Sequence, residues 1–273
     1  MLIVIEDLQY YVEVKGSGQP IVCFHGFSEN SSTWESIHLK DRQMVLVDLI
    51  GHGKSDKPHV LEPYTLAVVL PHLHELIHQL GFAKYSILGY SLGGRFALAY
   101  AQTYPREVQG LILESSSYGL CHREDRAQRR QQDIWLAKAI EEKGIEWFDQ
   151  YWSKLDLFAS QTQLPQAIRA KISARRLRNV SHALANTLLG SGQGIFPCLR
   201  DKILDLSMPI LFINGEYDEK YKKIGQELMN QNPKIKREII PGVGHNTHVE
   251  NPAAFMKAVN EFLSYHEYLE VSL

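Results

Sequence analysis

The stretch that most constrains the fold is residues 85–101, YSILGYSLGGRFALAYA, where a strand pattern changes to a helix pattern at one serine. Tyr85–Tyr90 has the continuous apolar and small residues of a strand buried on both faces. The residues from Leu92 onward suit a buried helix. Ser91 therefore lies at a sharp strand–turn–helix corner within a G-x-S-x-G pattern, and such a corner places the serine hydroxyl at the carboxyl end of the sheet.

Similar buried strands and helices alternate along much of the chain, and residues 1–14 read as two further strands. A helical stripe of five apolar residues ends at Gly81, which is typical of a helix C-terminus. The alternation predicts an α/β fold with a mostly parallel central sheet covered by helices. The predicted strands are Ile21–Gly26, Met44–Leu49, Tyr85–Tyr90, Val108–Ser115 and Met208–Gly215, and the stripe is Leu66, Leu70, Leu73, Ile77 and Leu80.

The alternation of strands and helices stops after Ser115 and resumes at Met208. The intervening pattern is helical and amphipathic, without strand candidates. We therefore expect residues 118–198 to form a helical cap inserted between two parts of an α/β core, residues 1–117 and 199–273.

Composition narrows the classes of partner. The formal net charge of −2 argues against a nucleic-acid-binding protein. No run of 18 apolar residues is present, so we expect no membrane span. Residues 119–200 nevertheless carry 13 Lys and Arg against 8 Asp and Glu. Such an excess can set a local field for an anionic partner, although runs of charge are more often solvated faces. We expect a monomer or a weak dimer.

The three cysteines, Cys23, Cys121 and Cys198, are widely spaced and odd in number. This arrangement does not predict a disulfide framework. The N-terminus shows no basic leader with a cleavage pattern, so a cytoplasmic protein with reduced thiols is the simplest expectation.

A serine hydroxyl becomes reactive when a histidine takes its proton and a carboxylate orients that histidine. In this type of fold the expected chain order is serine, acid, histidine. Asp218 follows the strand at Met208–Gly215, and His245 follows the last strand candidate. Ser91, Asp218 and His245 are therefore the candidate catalytic residues.

Other residues compete for these roles. Glu216, Glu219 and Glu114 are alternative acids, and His248 is an alternative histidine that reads better as a helix-entry residue.

Two backbone N–H groups are candidates for an oxyanion hole, those of Phe27 and Leu92. Phe27 belongs to the FHGFSEN segment after the first central strand, and Leu92 directly follows the serine. His25, in the same segment as Phe27, is predicted to be structural. His52, in the DLIGHGKSD segment after the next strand, is also predicted to be structural.

Arg95 lies in the first turn of the helix after Ser91, where the helix dipole disfavours a cation by roughly 0.3–1 kcal/mol. Positions four residues apart share a helix face, so we expect Arg95 beside the serine, facing a substrate carboxylate. The predicted cap adds two arginine clusters that could lie above Ser91. They are Arg123, Arg126, Arg129 and Arg130, and Arg175, Arg176 and Arg178.

Residues 74–78 match H-E-x-x-H, a pattern of zinc proteases. The two histidines lie beside the core-facing stripe of their helix, and the sequence offers no third ligand nearby. We interpret the match as coincidental and expect no metal.

Together the HGF, DLIGHGKS, GYSLGGR and GHN segments resemble the α/β-hydrolase superfamily over nearly the whole chain. Within it, GYSLGGR, RAQRRQQD, YWSKLDLFAS and GHNTHVENP resemble the 2-succinyl-6-hydroxy-2,4-cyclohexadiene-1-carboxylate synthases, lyases of menaquinone biosynthesis. This resemblance implies that Ser91, Asp218 and His245 form the triad. It also implies substrate-binding roles for Arg95, Arg129, Arg176, Tyr90 and Trp152, with Arg175 and Arg178 as competitors of Arg176.

The implied reaction eliminates pyruvate from 2-succinyl-5-enolpyruvyl-6-hydroxy-3-cyclohexene-1-carboxylate and needs no cofactor. The substrate is a small polycarboxylate, which accounts for the arginines. Two alternatives are a carboxylesterase or C–C bond hydrolase with an acidic substrate, and a non-catalytic protein that binds a small ligand.

Overall fold

The computed structural model describes residues 1–232 and 234–271, and these contain an eight-stranded sheet. Its spatial order is β1-β2-β4-β3-β5-β6-β7-β8, and neighbouring strands from β4 to β8 are parallel. The antiparallel pairs are β1 with β2 and β2 with β4. The mostly parallel sheet expected from the sequence is confirmed. The strands are β1 (Leu2–Ile5), β2 (Leu8–Gly16), β3 (Gln19–Phe24), β4 (Arg42–Val47), β5 (Tyr85–Tyr90), β6 (Val108–Glu114), β7 (Ile210–Gly215) and β8 (Ile235–Ile240).

Helices follow most of the strands. The α-helices are α1 (Leu66–Gln79), α2 (Leu92–Thr103), α3 (Arg123–Trp152), α4 (Gln166–Leu177), α5 (Ser181–Ser191), α6 (Glu219–Gln231), α7 (Thr247–Glu250) and α8 (Pro252–Val271). Short 3-10 helices lie at Ser31–Trp34, Glu62–Tyr64, Asp156–Gln163 and Asp201–Asp205.

The central strands are buried on both faces of the sheet, which explains their unbroken apolar runs. Every residue of β5 is buried. Side chains from alternating positions enter two separate apolar clusters, one containing Tyr100 from α2 and the other containing Phe255 from α8. The packing of β5 between these two clusters fixes the position of its carboxyl end.

Between β6 and β7 the described chain forms only helices and loops, as the amphipathic pattern indicated. Helix α3 is interrupted at Gly144, whose φ of 83° and ψ of 177° are not helical. The two parts of α3 pack with α5 around a small apolar cluster, and Phe27 of the core contacts that cluster. The division of the chain into residues 1–117, 118–198 and 199–273 stays a prediction.

The expectation of free cysteines was wrong for two of the three. Cys121 and Cys198 form a disulfide with a Cα–Cα distance of 4.9 Å, while Cys23 is free and buried. The two ends of the helical segment lie side by side, and Leu199 N donates a hydrogen bond to Tyr118 O at 2.7 Å. A spacing of 77 residues gives no sign of this closure in the sequence.

Among the described residues, no helix combines the length and the apolar character that crossing a bilayer requires.

Candidate active site

Ser91 lies at the corner between β5 and α2 with a φ of +51° and a ψ of −104°. This is a strained conformation for a residue with a side chain. The corner is tight because a Cβ on Gly89 would lie 2.4 Å from Gly93 O, and one on Gly93 would lie 2.3 Å from Phe24 O. The glycines of G-x-S-x-G therefore allow the chain to turn and present the serine hydroxyl at the carboxyl edge of the sheet.

The structure brings Ser91, His245 and Asp218 into one chain of hydrogen bonds. The Ser91 hydroxyl lies 3.0 Å from His245 Nε2, and His245 Nδ1 lies 2.6 Å from Asp218 Oδ2. The His245 and Asp218 side chains are almost fully buried. In the tautomer that fits both contacts, Nδ1–H donates to the carboxylate and Nε2 accepts from the serine. This arrangement can withdraw a proton from Ser91.

None of the competing acids contacts His245 in the described structure. Glu216 accepts a hydrogen bond from Gly242 N at 2.8 Å. Glu219 pairs with Lys222 on the first turn of α6, and this ion pair lowers the pKa of the Glu219 carboxyl. Asp218 is thus the acid that the geometry favours among the residues considered from the sequence.

Glu114 fixes the loop that carries His245. Its fully buried carboxylate accepts hydrogen bonds from Thr247 Oγ1 at 2.6 Å and from His248 N at 2.9 Å. It also accepts from His248 Nδ1 at 2.7 Å. Thr33 Oγ1 lies 2.7 Å from the other ring nitrogen of His248. His248 stands at the start of α7, as expected, and belongs to this supporting network.

The predicted oxyanion residues lie at the same cavity as the serine. Phe27 and Leu92 both line it together with Ser91. Leu92 is the first residue of α2, so its N–H has no acceptor one turn earlier in the helix. The assignment of both N–H groups to an oxyanion hole stays a prediction.

His25 and His52 are buried beneath the loops that surround Ser91. Leu49 N donates to His25 Nε2 at 3.0 Å, and the other His25 nitrogen lies 2.8 Å from Gly26 O. Burial lowers the pKa of His25 to about 4 and that of His52 to about 3. Both rings are therefore neutral at pH 7, which suits a structural role.

A cavity of about 460 Å³ opens at Ser91 beneath the helical segment. Its walls combine apolar and aromatic side chains with several charged groups. Cations outnumber carboxylates in this lining, which favours an anionic ligand. The charged residues are Arg95, Arg129, Lys220 and Asp133, and the large apolar residues are Phe27, Trp135, Leu136, Tyr151, Trp152, Leu155, Leu157 and Leu188.

Arg95 lies in this cavity wall, one helical turn from Ser91, and is only 7% exposed. Its Nη2 donates to Ser191 O at 3.3 Å, whereas its buried Nε has no hydrogen-bond partner. No ion pair to Arg95 is found within the described residues. Burial lowers its pKa to about 10, so the guanidinium remains charged at pH 7. A buried cation with unused donors is a ready site for a carboxylate.

Arg129 reaches the same cavity from α3 and is already held in place. Its Nε donates to Asp133 Oδ1 and its Nη1 to Gln193 Oε1, each at 2.7 Å. Asp133 also accepts from Gly194 N at 2.9 Å. These contacts orient the guanidinium while leaving further N–H donors for a ligand.

Arg176 borders a smaller cavity, of about 40 Å³, which it shares with Ser91 and His245. Its Nη1 donates to Asp149 Oδ1 at 2.5 Å. The competitor Arg175 is instead paired with Glu29 at 2.8 Å, and Arg178 is exposed. Of the three, Arg176 is therefore the one that shares a cavity with Ser91, although it does not line the larger cavity with Arg95 and Arg129.

Two aromatic residues from the sequence analysis also border these cavities. Trp152, at the end of α3, lines both of them, and its ring centroid lies 5.3 Å from that of Phe27. Tyr90, the last residue of β5, is buried against His245 at 5.4 Å between ring centroids.

Several polar residues of the cavity wall were not predicted from the sequence, among them Lys220, Tyr221 and Gln193. The Tyr221 ring lies 4.8 Å from that of His245. Lys220 and Tyr221 follow Asp218 closely, and this proximity was a usable signal. Gln193 lies in a loop after α5, and no pattern around it indicated a role.

The architecture and the corner at Ser91 agree with the comparison to known families. The sequence profile of the α/β hydrolase fold matches residues 19–252. The chain belongs to the α/β-hydrolase fold family. This α/β-hydrolase is 38% identical to a Bacillus subtilis (strain 168) protein named a putative 2-succinyl-6-hydroxy-2,4-cyclohexadiene-1-carboxylate synthase, over 95% of this chain and 96% of the relative.

A second relative carries the same enzyme name without the qualifier. This Enterobacter sp. (strain 638) protein is 31% identical over 89% of this chain and 91% of its own length. Among solved structures, MenH from S. aureus matches with a TM-score of 0.88 and 32% identity, covering 94% of this chain and 98% of that one.

A thermophilic esterase from Thermogutta terrifontis has a TM-score of 0.83 and 23% identity, and covers 95% of this α/β-hydrolase and 94% of its own chain. At that identity the likeness shows the fold alone.

Proposed function

We propose that this protein is a 2-succinyl-6-hydroxy-2,4-cyclohexadiene-1-carboxylate synthase, a carbon–oxygen lyase of menaquinone biosynthesis. It converts 2-succinyl-5-enolpyruvyl-6-hydroxy-3-cyclohexene-1-carboxylate into the cyclohexadiene and pyruvate. The relatives that carry this enzyme name match the chain over about nine-tenths of its length or more.

The observation that carries the proposal is the buried Arg95 guanidinium beside Ser91. It has no carboxylate partner within the described structure and lines the cavity that contains the serine. Burying an unpaired cation is costly, so its retention beside the serine calls for an anionic ligand. The proposed substrate carries three carboxylates, and Arg95, Arg129 and Arg176 are proposed to bind them. A simple esterase has no need for this set.

The mechanism uses the triad as a base. His245, oriented by Asp218, holds the proton of Ser91 and makes Oγ basic. Ser91 Oγ removes the ring proton from the carbon that bears the succinyl ketone. The electron pair of that C–H bond forms a new ring double bond, and the existing double bond shifts one position. The ether C–O bond then breaks, and the departing enolpyruvate takes up a proton to give pyruvate.

Negative charge develops on the succinyl ketone oxygen as the proton leaves. The N–H groups of Phe27 and Leu92 are proposed to bind this oxygen, and one such donor typically contributes about 3–4 kcal/mol to the transition state. The arginines fix the carboxylates so that the ring proton points at Oγ. The arginines contribute by positioning the substrate, because a bound substrate that is held in the reactive orientation meets a lower barrier.

The helical segment above the sheet is proposed to act as a cap. It supplies Arg129, Arg176 and Trp152, together with much of the apolar wall. Enclosing the intermediate in this way limits the access of water, which favours elimination over hydrolysis. The residues of the site can perform the proton transfer without a metal or an organic cofactor.

The catalytic role of Ser91 is tested by the Ser91→Ala substitution. The rate of conjugated-diene formation, followed by ultraviolet absorbance, is expected to fall at least about 1,000-fold because the base is lost. Ser153→Ala is the matched control, since Ser153 is exposed at the end of α3. Retention of most activity by Ser91→Ala, with a thermal midpoint like that of the parent, would contradict the mechanism.

A further inference from the structure

The H-E-x-x-H residues of α1 form a cluster outside the active site. His74 and His78 lie one turn apart, beside Leu73 and Ile77, whose side chains are fully buried. The imidazole ring centroids are 4.3 Å apart. The side chains are 27% and 46% exposed, so both rings are partly accessible from solvent.

The third member of the cluster is Glu107, which directly precedes β6. Its Oε1 lies 3.0 Å from His74 Nε2, and its Oε2 lies 3.2 Å from His78 Nε2. The possible ligand atoms of the three residues all lie within 4.8 Å of one another. Because 29 residues separate His78 from Glu107, the local sequence offers only the two histidine ligands, and on that basis we interpreted the motif as coincidental.

The surrounding residues hold these three side chains in position. The Tyr85 hydroxyl donates to Glu107 Oε2 at 2.7 Å, and Tyr85 N donates to Glu107 O at 3.1 Å. The Tyr104 ring stacks on His74 with centroids 3.9 Å apart and an interplanar angle of 12°. Partners that orient the ligands in this way are typical of metal centres in proteins.

We propose that His74, His78 and Glu107 bind one Zn²⁺ ion. Two imidazoles and one carboxylate are ligands that zinc accepts, and a water molecule would complete the tetrahedron. Ligand atoms about 2.0–2.1 Å from a tetrahedral ion lie about 3.4 Å apart. The present distances are 3.0 Å from His74 Nε2 to Glu107 Oε1 and 3.2 Å from His78 Nε2 to Glu107 Oε2, and the possible ligand atoms lie within 4.8 Å of one another. Small side-chain rotations would therefore bring one carboxylate oxygen and both nitrogens to this spacing.

The proposed ion is structural and not a protease centre. In a zinc protease the glutamate after the first histidine acts as a general base at the metal. Here Glu75 is exposed and accepts a hydrogen bond from Gln79 at 3.0 Å. The cluster lies at the amino end of β5, whereas Ser91 follows its carboxyl end, about 20 Å away along the strand. The ion would tie α1 to the amino edge of the sheet.

Calorimetric titration of the chelator-treated, full-length protein with Zn²⁺ alone tests the proposal. We expect one ion per chain and a thermal midpoint that rises with Zn²⁺ because the ion binds the native state. His78→Ala and Glu107→Gln should each weaken binding at least about tenfold. The glutamine retains an oxygen that can accept the Tyr85 hydrogen bond.

His38→Ala is the control, because it removes an exposed histidine that lies outside the cluster. Its zinc affinity should equal that of the parent protein. Absence of stoichiometric binding by the parent would overturn the proposal. Equal affinity of the parent, His78→Ala and Glu107→Gln would also overturn it, since residues outside the cluster would then hold the zinc.

Discussion

At the scale of single residues, Arg95 distinguishes this site from an ordinary serine hydrolase site. Its position in the first turn of α2 opposes the helix dipole, and the structure adds that its buried Nε has no partner. A residue whose placement lowers the stability of the fold, with no compensating contact, is typical of a functional site. The neighbouring Arg129 and Arg176, by contrast, are held by carboxylates of the helical segment.

The Arg95→Ala substitution should reduce kcat/KM for the carboxylated substrate about 10- to 100-fold, because a hydrogen bond to a charged group contributes about 1.5–3 kcal/mol. Labelling of Ser91 by an uncharged fluorophosphonate should stay at the parental rate, since the triad does not involve Arg95. Steady-state kinetics and probe labelling on the same preparation provide the two readouts. Unchanged kcat/KM for the anionic substrate would make Arg95 a structural residue.

At the scale of elements, β5 and α2 could be predicted accurately because their sequence is locally consistent. The predicted strand Tyr85–Tyr90 is the observed one, and the helix predicted from Leu92 onward is α2, Leu92–Thr103. Strand ends were less accurate: the run predicted at Met208–Gly215 begins as a strand at Ile210. Met208 and Pro209 precede the ladder, because proline has no N–H to donate to it.

The candidate triad could be located because its residues follow strands of one parallel sheet, whose carboxyl ends share an edge. Contacts that depend on how distant segments meet could not be found in this way. The disulfide joins Cys121 to Cys198 across 77 residues, and the hydrogen bond joins His78 to Glu107 across 29 residues. No pattern in the sequence around either residue of a pair indicates its partner. The placement of Gln193 against Arg129 likewise depends on how the loop after α5 packs on α3.

At the scale of the whole molecule, two buried neutral histidines make stability depend on pH. The pKa values of His25 and His52 are lowered by burial from 6.5 to about 4 and about 3. Below pH 6.5 the unfolded chain binds protons that the native protein does not, so stability is lost as pH falls toward these values. The free energy of unfolding should therefore decrease by up to about 1.4 kcal/mol per pH unit for each histidine.

Denaturant unfolding between pH 7 and pH 5 measures this slope above the range where most carboxylates titrate. In His52→Asn the histidine contribution to the slope should fall by about half, whatever the change in absolute stability. His38→Asn, at an exposed histidine, should keep the parental slope. A His52→Asn slope equal to that of the parent would show that His52 does not resist protonation in the native state.

The most direct test of the central claim is the ratio of pyruvate to conjugated diene formed during turnover. The enolpyruvyl cyclohexene substrate would be generated in situ, and both products would be measured with and without the enzyme. Elimination by the Ser91 site predicts equal amounts of the two products, formed much faster than in the reaction without enzyme. Pyruvate released without diene, or diene formed no faster than the spontaneous background, would contradict the assignment as a lyase.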